Sequence, residues 1–260
     1  MVRKILAEAA IRSDETVFEI GPGRGVLTDP LCGVASRVIA VELDKKLADY
    51  LSKTCIHSNL DLRTGDALEF DYHVLPHGTV VVANLPYYLS TPLLFQLLEQ
   101  RSRINRMVLM LQLEVAKRLA AKPGSRDYGA LSVLSQYCAN SRLAFKIPAT
   151  CFRPRPEVDS AVVTLSVIPA KSEDQLFHRD FIQTVRAAFA HRRKTLVNSF
   201  RDRGLPMASI LDALGEVHID PKRRAETMTV QEFIDLTQAF RLRGIAPKNG
   251  ASLFDPDSLH

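Results

Sequence analysis

The chain has 260 residues, 46% of them apolar, enough to bury one large core and a smaller one. Mean hydropathy is close to zero, no apolar run approaches the ~20 residues of a membrane span, and Met1-Val2-Arg3-Lys4-Ile5 lacks the apolar core of a signal peptide; a membrane-spanning helix is not expected, and a soluble, cytoplasmic protein is. The formal charge of +5 and isoelectric point of about 9.1 are only mildly basic, which does not by itself establish a nucleic-acid partner.

The first ~170 residues alternate short β-branched runs with amphipathic stretches, the pattern of a parallel sheet covered by helices. Val17–Ile20 reads as a first strand ending in a glycine-rich turn, and 37–41 as a second ending on Glu42. A helix is expected over 44–53, and a third strand before Gly65. The continuous apolar run 79–83 suits a central buried strand. A helix over 91–100 follows, with Pro92 in its tolerant first turn, then a strand over 106–111. Residues 145–148 and 158–167 read as extended segments around a proline-rich connection, a hairpin closing the sheet.

Beyond Pro169 the pattern turns helical, over 181–190, 194–201, 207–214 and 230–239. Thr229 is placed to cap the last of these, with Glu232 in the capping-box position. The expected organisation is an α/β domain over 1–170, a smaller all-α domain over 171–243 and a loose tail over 244–260. The four cysteines, Cys32, Cys55, Cys138 and Cys151, form no C-x-x-C pair. They are expected to be reduced, small apolar side chains, with neither a disulfide framework nor a metal.

Glu19-Ile20-Gly21-Pro22-Gly23-Arg24-Gly25 sits at the first strand-to-turn junction. Gly21 and Gly23 let the backbone approach a ligand closely. Glu42 ends the next strand, where a carboxylate accepts from both ribose hydroxyls of a bound nucleoside. A dinucleotide fingerprint needs a third glycine where Val26 stands. No helix N-terminus cradles a pyrophosphate, so phosphate-free S-adenosylmethionine suits the turn better. Asp66, after the third strand, is placed to accept from the cofactor's adenine amine; alone it is an ordinary turn aspartate.

Asn84-Leu85-Pro86-Tyr87 follows the apolar fourth strand and is the sharpest signal. An adenine exocyclic nitrogen is a poor nucleophile because its lone pair is delocalised into the ring. Two acceptors aimed at its N–H bonds favour a tetrahedral nitrogen, and the Asn84 side-chain oxygen with the Leu85 carbonyl can supply them. Pro86 stiffens the turn and brings no competing N–H. Tyr87 offers a face for a flipped-out base. Four residues alone are as readily an Asn-Pro turn with a buried tyrosine; the glycine turn, Glu42 and Asp66 in order make a methyltransferase the better reading.

From Glu19 to about Phe240 the chain resembles the KsgA/RsmA-type ribosomal RNA adenine dimethyltransferases. The resemblance is carried by Asn84-Leu85-Pro86-Tyr87 with Ser90-Thr91-Pro92, by Gln112-Leu113-Glu114-Val115-Ala116, and by Lys122-Pro123-Gly124-Ser125 with Tyr128-Gly129. It continues through Phe152-Arg153-Pro154-Arg155-Pro156-Glu157-Val158-Asp159-Ser160, Arg192-Arg193-Lys194-Thr195-Leu196 and Arg224-Ala225-Glu226. It implies a Rossmann-like, class I S-adenosylmethionine-dependent methyltransferase sheet, with Gly21, Glu42, Asp66 and Asn84 at the cofactor and Tyr87 and Phe152 sandwiching the target base. It also implies a monomer that dimethylates two adjacent adenosines in the 3′-terminal hairpin loop of 16S rRNA in the small ribosomal subunit. The helical domain would dock rRNA, with Arg153, Arg155, Arg192, Arg193, Lys194 and Arg223 as the basic contacts; short basic runs are otherwise solvated faces. Family members begin with a basic segment carrying Phe-Gly-Gln-(His/Asn)-Phe-Leu, whereas this sequence starts inside the helix that follows it.

Three competitors remain. Antibiotic-resistance methyltransferases acting on large-subunit RNA share an Asn-x-Pro-Tyr-type site, but the 152–160 and 192–196 blocks look more like the small-subunit enzymes. A non-catalytic assembly or transcription factor on this fold could lose Asn84 or Glu42, and both are present. A nicotinamide oxidoreductase rests on the glycine turn alone.

Overall fold

The computed structural model describes residues 1–169, 175–191 and 193–247. Among them the strands are β1 (Thr16–Ile20), β2 (Arg37–Glu42), β3 (Leu60–Thr64), β4 (Thr79–Asn84), β5 (Ile104–Gln112), β6 (Ala139–Ile147) and β7 (Ser160–Val167). The helices are α1 (Val2–Ala9), α2 (Thr28–Cys32), α3 (Lys45–Thr54), α4 (Ser90–Glu99), α5 (Leu113–Leu119), α6 (Ala130–Cys138), α7 (Gln175–Phe189), α8 (Leu196–Asp202), α9 (Met207–Glu216) and α10 (Val230–Leu242). The chain divides into two compact units, one holding 1–120 and 138–169, the other 121–137 and the residues after 169.

The first unit is a seven-stranded sheet in the order β3-β2-β1-β4-β5-β7-β6. The first five positions run parallel, and β7 lies antiparallel to both β5 and β6. The β-branched runs are buried on both faces in β1, β2 and β4, as a helix-covered parallel sheet requires. Asp44 caps α3 by accepting from Lys46 N and Leu47 N at 2.7 and 3.3 Å. The closing hairpin is present but longer than its sequence suggests. A bulge between Leu143 and Phe145 interrupts the two-residue alternation, which hid the first half of β6.

Arg106 of β5 ties α1 to this sheet. Its guanidinium donates to Glu15 Oε1 and Oε2 at 2.7 and 2.6 Å, and to the Ala9 and Ala10 carbonyls at 2.8 Å each. The last two carbonyls close the helix C-terminus, where orphan acceptors need partners. The Arg106 hydrogen bonds hold the buried Glu15 carboxyl down at about 2, against the cost of burial.

The second unit is helical. Its core stacks Tyr137 on Phe181 with centroids 4.2 Å apart and sets Phe200 edge-on to Phe240 at 5.1 Å. The Tyr128 hydroxyl donates to the Met228 carbonyl at 2.9 Å. These contacts fix 121–137 here, a segment that the sequence pattern assigned to the sheet domain. Thr229 and Glu232 form the expected capping box of α10. The tail over 248–260 lies outside the described residues.

Removing the Arg106 guanidinium leaves the buried Glu15 carboxylate with Arg12 as its remaining partner, so Arg106→Ala should cost on the order of 1–3 kcal/mol at pH 7. Because the Glu15 carboxyl is depressed, its contribution is complete above about pH 4.5 and is lost as pH falls toward 2. Urea unfolding of both proteins should therefore show a gap at pH 7 that narrows by pH 3; a constant gap would contradict the ion pair's role.

Candidate active site

The site lies at the carboxyl ends of β1, β2 and β4, where β1 pairs with β2 on one side and β4 on the other. Gly21, Gly23 and Gly25 all adopt left-handed backbone, with φ of 66°, 59° and 82°. At Gly25 the left-handed backbone favours glycine, while a Cβ would come within 2.6 Å only of Leu51 Cδ1, the end of a side chain that can turn aside. At Gly23 a Cβ would meet nothing within 4 Å, leaving the turn open on its outer side. The helix after the turn, α2, has only five residues, in keeping with a turn not built around a pyrophosphate.

Glu42, buried at the end of β2, braces this turn. Its Oε2 accepts from Gly23 N at 2.9 Å and its Oε1 from Asp44 N at 3.0 Å. Each oxygen retains a further lone pair for a ligand hydroxyl. Gly65 N donates to the Glu42 carbonyl at 2.9 Å, which brings the Asp66 turn alongside. Asp66 Oδ1 accepts from Leu68 N at 2.8 Å, so one carboxylate oxygen shapes the turn and the other is unused.

Glu19, beneath the turn in β1, was not singled out as a site residue by its sequence pattern. Its Oε2 and the Thr28 hydroxyl are both buried without a hydrogen-bond partner. Burial pushes the Glu19 carboxyl up to about 8; the Thr28 hydroxyl opposes the shift and the Glu42 charge adds to it. At neutral pH Glu19 is therefore mostly protonated, so two carboxylate charges do not share the pocket under the turn.

Asn84 ends β4 with its side chain exposed. Its carbonyl lies 3.9 Å from where a Gly21 Cβ would stand, so the glycine turn and the Asn84 turn face each other closely. The Asn84 amide makes no hydrogen bond among the described residues. Leu85 is anchored by its buried side chain and by Leu85 N donating to the Met110 carbonyl at 3.2 Å. A 3-10 turn over Tyr87–Leu89 follows, closed by Leu89 N on the Pro86 carbonyl and by the Ser90 hydroxyl on the Tyr87 carbonyl, each at 3.0 Å.

Tyr87 is held by a residue 73 positions away: its hydroxyl hydrogen-bonds Ser160 Oγ at 2.7 Å. Ser160 opens β7 and pairs with both Gln112 and Ile147. The neighbouring Asp159 accepts from Ala149 N at 2.8 Å through its side chain and from Leu113 N at 2.9 Å through its carbonyl. The loop that carries Phe152 is thus pinned at the same edge of the sheet as Tyr87. Phe152 is half-buried, packed on the cluster that includes Ile147, Val162 and Met110. Spacing gave no sign of the positioning role of Ser160 and Asp159, because it depends on strand register.

The basic residues divide into two groups. Arg153, Arg155 and Arg193 are exposed and have no ion pair among the described residues. Lys194 binds Asp202 at 2.5 Å. Arg223 bridges both Glu232 oxygens and the Thr227 carbonyl, so its guanidinium holds the second unit together. Arg192 lies outside the described residues.

A family model described as ribosomal RNA adenine dimethylase matches residues 1–241. The chain belongs to that family. It is 42% identical to the Ribosomal RNA small subunit methyltransferase A of Moorella thermoacetica, with 93% of this chain and 88% of the relative covered. It is 40% identical to the protein of that name from Bacillus mycoides, covering 95% and 88%. Among solved structures, a dimethyladenosine transferase from Plasmodium falciparum superposes with a TM-score of 0.83 at 27% identity, over 95% of this chain and 97% of that one. The 23S rRNA methyltransferase ErmE, at 23% identity and a TM-score of 0.71 over 92% and 96% of the chains, shares the fold. As an rRNA adenine dimethyltransferase of this family, the protein uses S-adenosylmethionine. The site's chemistry fits that cofactor: an open glycine turn, the carboxylates of Glu42 and Asp66, and the orphaned buried oxygen of Glu19 suit a cationic ligand bearing hydroxyl and amine donors, and would repel a pyrophosphate.

Glu19→Gln should flatten a pH dependence. With its folded pKa raised, Glu19 stabilises the fold fully below about pH 4.5, and that contribution is lost as pH rises through about 8. Urea unfolding between pH 5 and 8 should show the unsubstituted protein losing up to about 1.4 kcal/mol per pH unit relative to the glutamine variant. Parallel profiles would mean that Glu19 is ionised in the fold.

Proposed function

We propose that the protein methylates the exocyclic amines of two adjacent adenosines in the 3′-terminal hairpin loop of 16S rRNA, within the small ribosomal subunit. The observation that carries this reading is the unpaired Asn84 amide, held at the end of β4 on a turn whose next aromatic, Tyr87, is locked in place by Ser160. When bound, S-adenosylmethionine supplies an electrophilic methyl group. Glu42 and Asp66 would hold its ribose hydroxyls and adenine amine, with Gly21 and Gly23 admitting it to the backbone.

The Asn84 side-chain oxygen and the Leu85 carbonyl accept the two N–H bonds of the target amine and turn its lone pair out of conjugation. Among the described residues no loop hydrogen bond ends on that carbonyl. Tyr87 and Phe152 stack on the two faces of the base, worth about 1–3 kcal/mol per stacked base. Fixing the rings beforehand spares the complex the cost of ordering them. The methylated nitrogen sheds its proton to water.

Arg153, Arg155 and Arg193 are the side chains we assign to phosphate contacts, with Lys194 adding charge; the helical unit serves as the rRNA-docking domain and the sheet unit as the catalytic one. No described helix is long and apolar enough to cross a membrane. On this reading the protein acts as a monomer in the cytoplasm, where small subunits mature.

Two outcomes follow. With immature small subunits and labelled S-adenosylmethionine, Asn84→Ala should lower dimethyladenosine formation by at least 10²-fold while leaving subunit binding within a few-fold; undiminished modification would end the proposed mechanism. Subunit affinity should fall steeply with salt, and Arg153→Ala, Arg155→Ala or Arg193→Ala should each reduce the log–log slope by about 1. Unchanged slopes in all three would remove these residues from the docking surface.

A further inference from the structure

A second cluster of chemically capable side chains lies in the sheet unit, outside the groups assigned to methyl transfer. Asp29 of α2, Cys55 at the end of α3 and His57 just beyond it bring one carboxylate oxygen, one thiol sulfur and one imidazole nitrogen within 4.8 Å of one another. Asp29 Oδ1 and His57 Nε2 are 2.8 Å apart. Cys55 is buried beneath them, while Asp29 and His57 are exposed. A further thiol is near in sequence: the buried Cys32 lies three residues along α2 from Asp29, outside the group of three.

In sequence these residues are two short chelating pairs, Asp29-x-x-Cys32 and Cys55-x-His57. The first pair shares a helix face by its spacing of three. The corner is held from outside the donor set, since Asn59 Nδ2 donates to the Cys32 and Ala35 carbonyls at 2.9 and 3.0 Å. The expectation of metal-free cysteines came from the lack of a C-x-x-C pair. Here each thiol's near neighbour in sequence is instead a different ligand type.

We propose that Cys55, His57, Asp29 and Cys32 form a structural zinc site. Zinc takes four ligands of this kind, with Zn–N and Zn–O of about 2.0–2.2 Å and Zn–S of about 2.3 Å. A tetrahedron with those bonds sets ligands about 3.3–3.8 Å apart, so Asp29, Cys55 and His57, already within 4.8 Å of one another, would close on the ion and the Cys32 side chain would turn in to complete the shell. Two thiols and an imidazole select zinc over magnesium or calcium, which prefer all-oxygen shells. On binding, the Cys32 and Cys55 thiols each release a proton to the buffer, their sulfurs bond the ion, and the Asp29–His57 hydrogen bond opens to admit it. No electron is transferred. The ion would staple α2, which follows the glycine turn, to the segment leading into β3. It would stand apart from the transferred methyl group.

Cobalt substitution tests this on the full chain, reduced and stripped of metal. One equivalent of Co2+ should produce a thiolate-to-cobalt charge-transfer band that saturates at 1:1, and Zn2+ should bleach it. His57→Ala and Asp29→Ala change exposed side chains, so they keep the test informative if a cysteine variant misfolds. Each should weaken zinc affinity at least tenfold in a chelator competition, and Cys55→Ser should abolish the band. Cys151→Ser, which changes the exposed thiol elsewhere, should leave the band intact. Zinc should raise the melting temperature of the unsubstituted chain but not of His57→Ala. Absence of the band, or a band that survives both His57→Ala and Cys55→Ser, would overturn the site while leaving the methyltransferase reading untouched.

Discussion

The position of β1 between β2 and β4, parallel to both, is the constraint from which the rest follows. The chain leaves β1 toward one side of the sheet and later returns on the other, so the connections diverge above Ile20 and leave a crevice there. Gly21 N is bound to the Val41 carbonyl at 2.9 Å, and the Asn84 carbonyl stands close to its Cα. The crevice therefore has two chemically different walls. The β2 and β3 side carries Glu42 and Asp66, acceptors suited to a cofactor's hydroxyls and amine. The β4 side carries Asn84, exposed at the strand's end and, in the proposed mechanism, the acceptor for the substrate amine.

Reversal of direction at β7 supplies the other half of the site. Because β7 runs against β5 and β6, it begins where they end, and the 148–159 loop is delivered to the same edge as Asn84. Asp159 and Ser160 then act as a common anchor for two flexible pieces, the Tyr87 turn and the Phe152 loop. Aromatic faces make good base platforms only when their orientation is fixed before binding. Here a hydroxyl pair and a carboxylate–amide bond fix it.

Charge is distributed with similar economy. Glu19 stays mostly neutral beneath the glycine turn, so two carboxylate charges do not share that pocket. Glu15 stays ionised because Arg106 meets both its oxygens. Among the basic residues, Arg223 is consumed by Glu232 and Lys194 by Asp202, whereas Arg153, Arg155 and Arg193 have no ion pair among the described residues. A run of basic letters does not distinguish these cases, since an ion pair's partner can stand anywhere in the chain.

The amino-acid sequence by itself determined the features with a local cause. Buried β-branched runs specified β1, β2 and β4, the capping chemistry of Asp44 and Thr229 started α3 and α10, and the glycine turn, Glu42, Asp66 and Asn84 were legible in order as the proposed methyl-transfer site. The tertiary structure alone decided what depends on register and topology. It assigned 121–137 to the helical unit through the contacts of Tyr128 and Tyr137, set Ser160 against Tyr87, closed Arg106 on Glu15 across 91 residues, and gathered Asp29, Cys55 and His57 at one corner. Hydrophobic period and turn chemistry act over a few residues and can be read along the chain. A hydrogen bond between distant side chains exists only once the strands between them have been ordered.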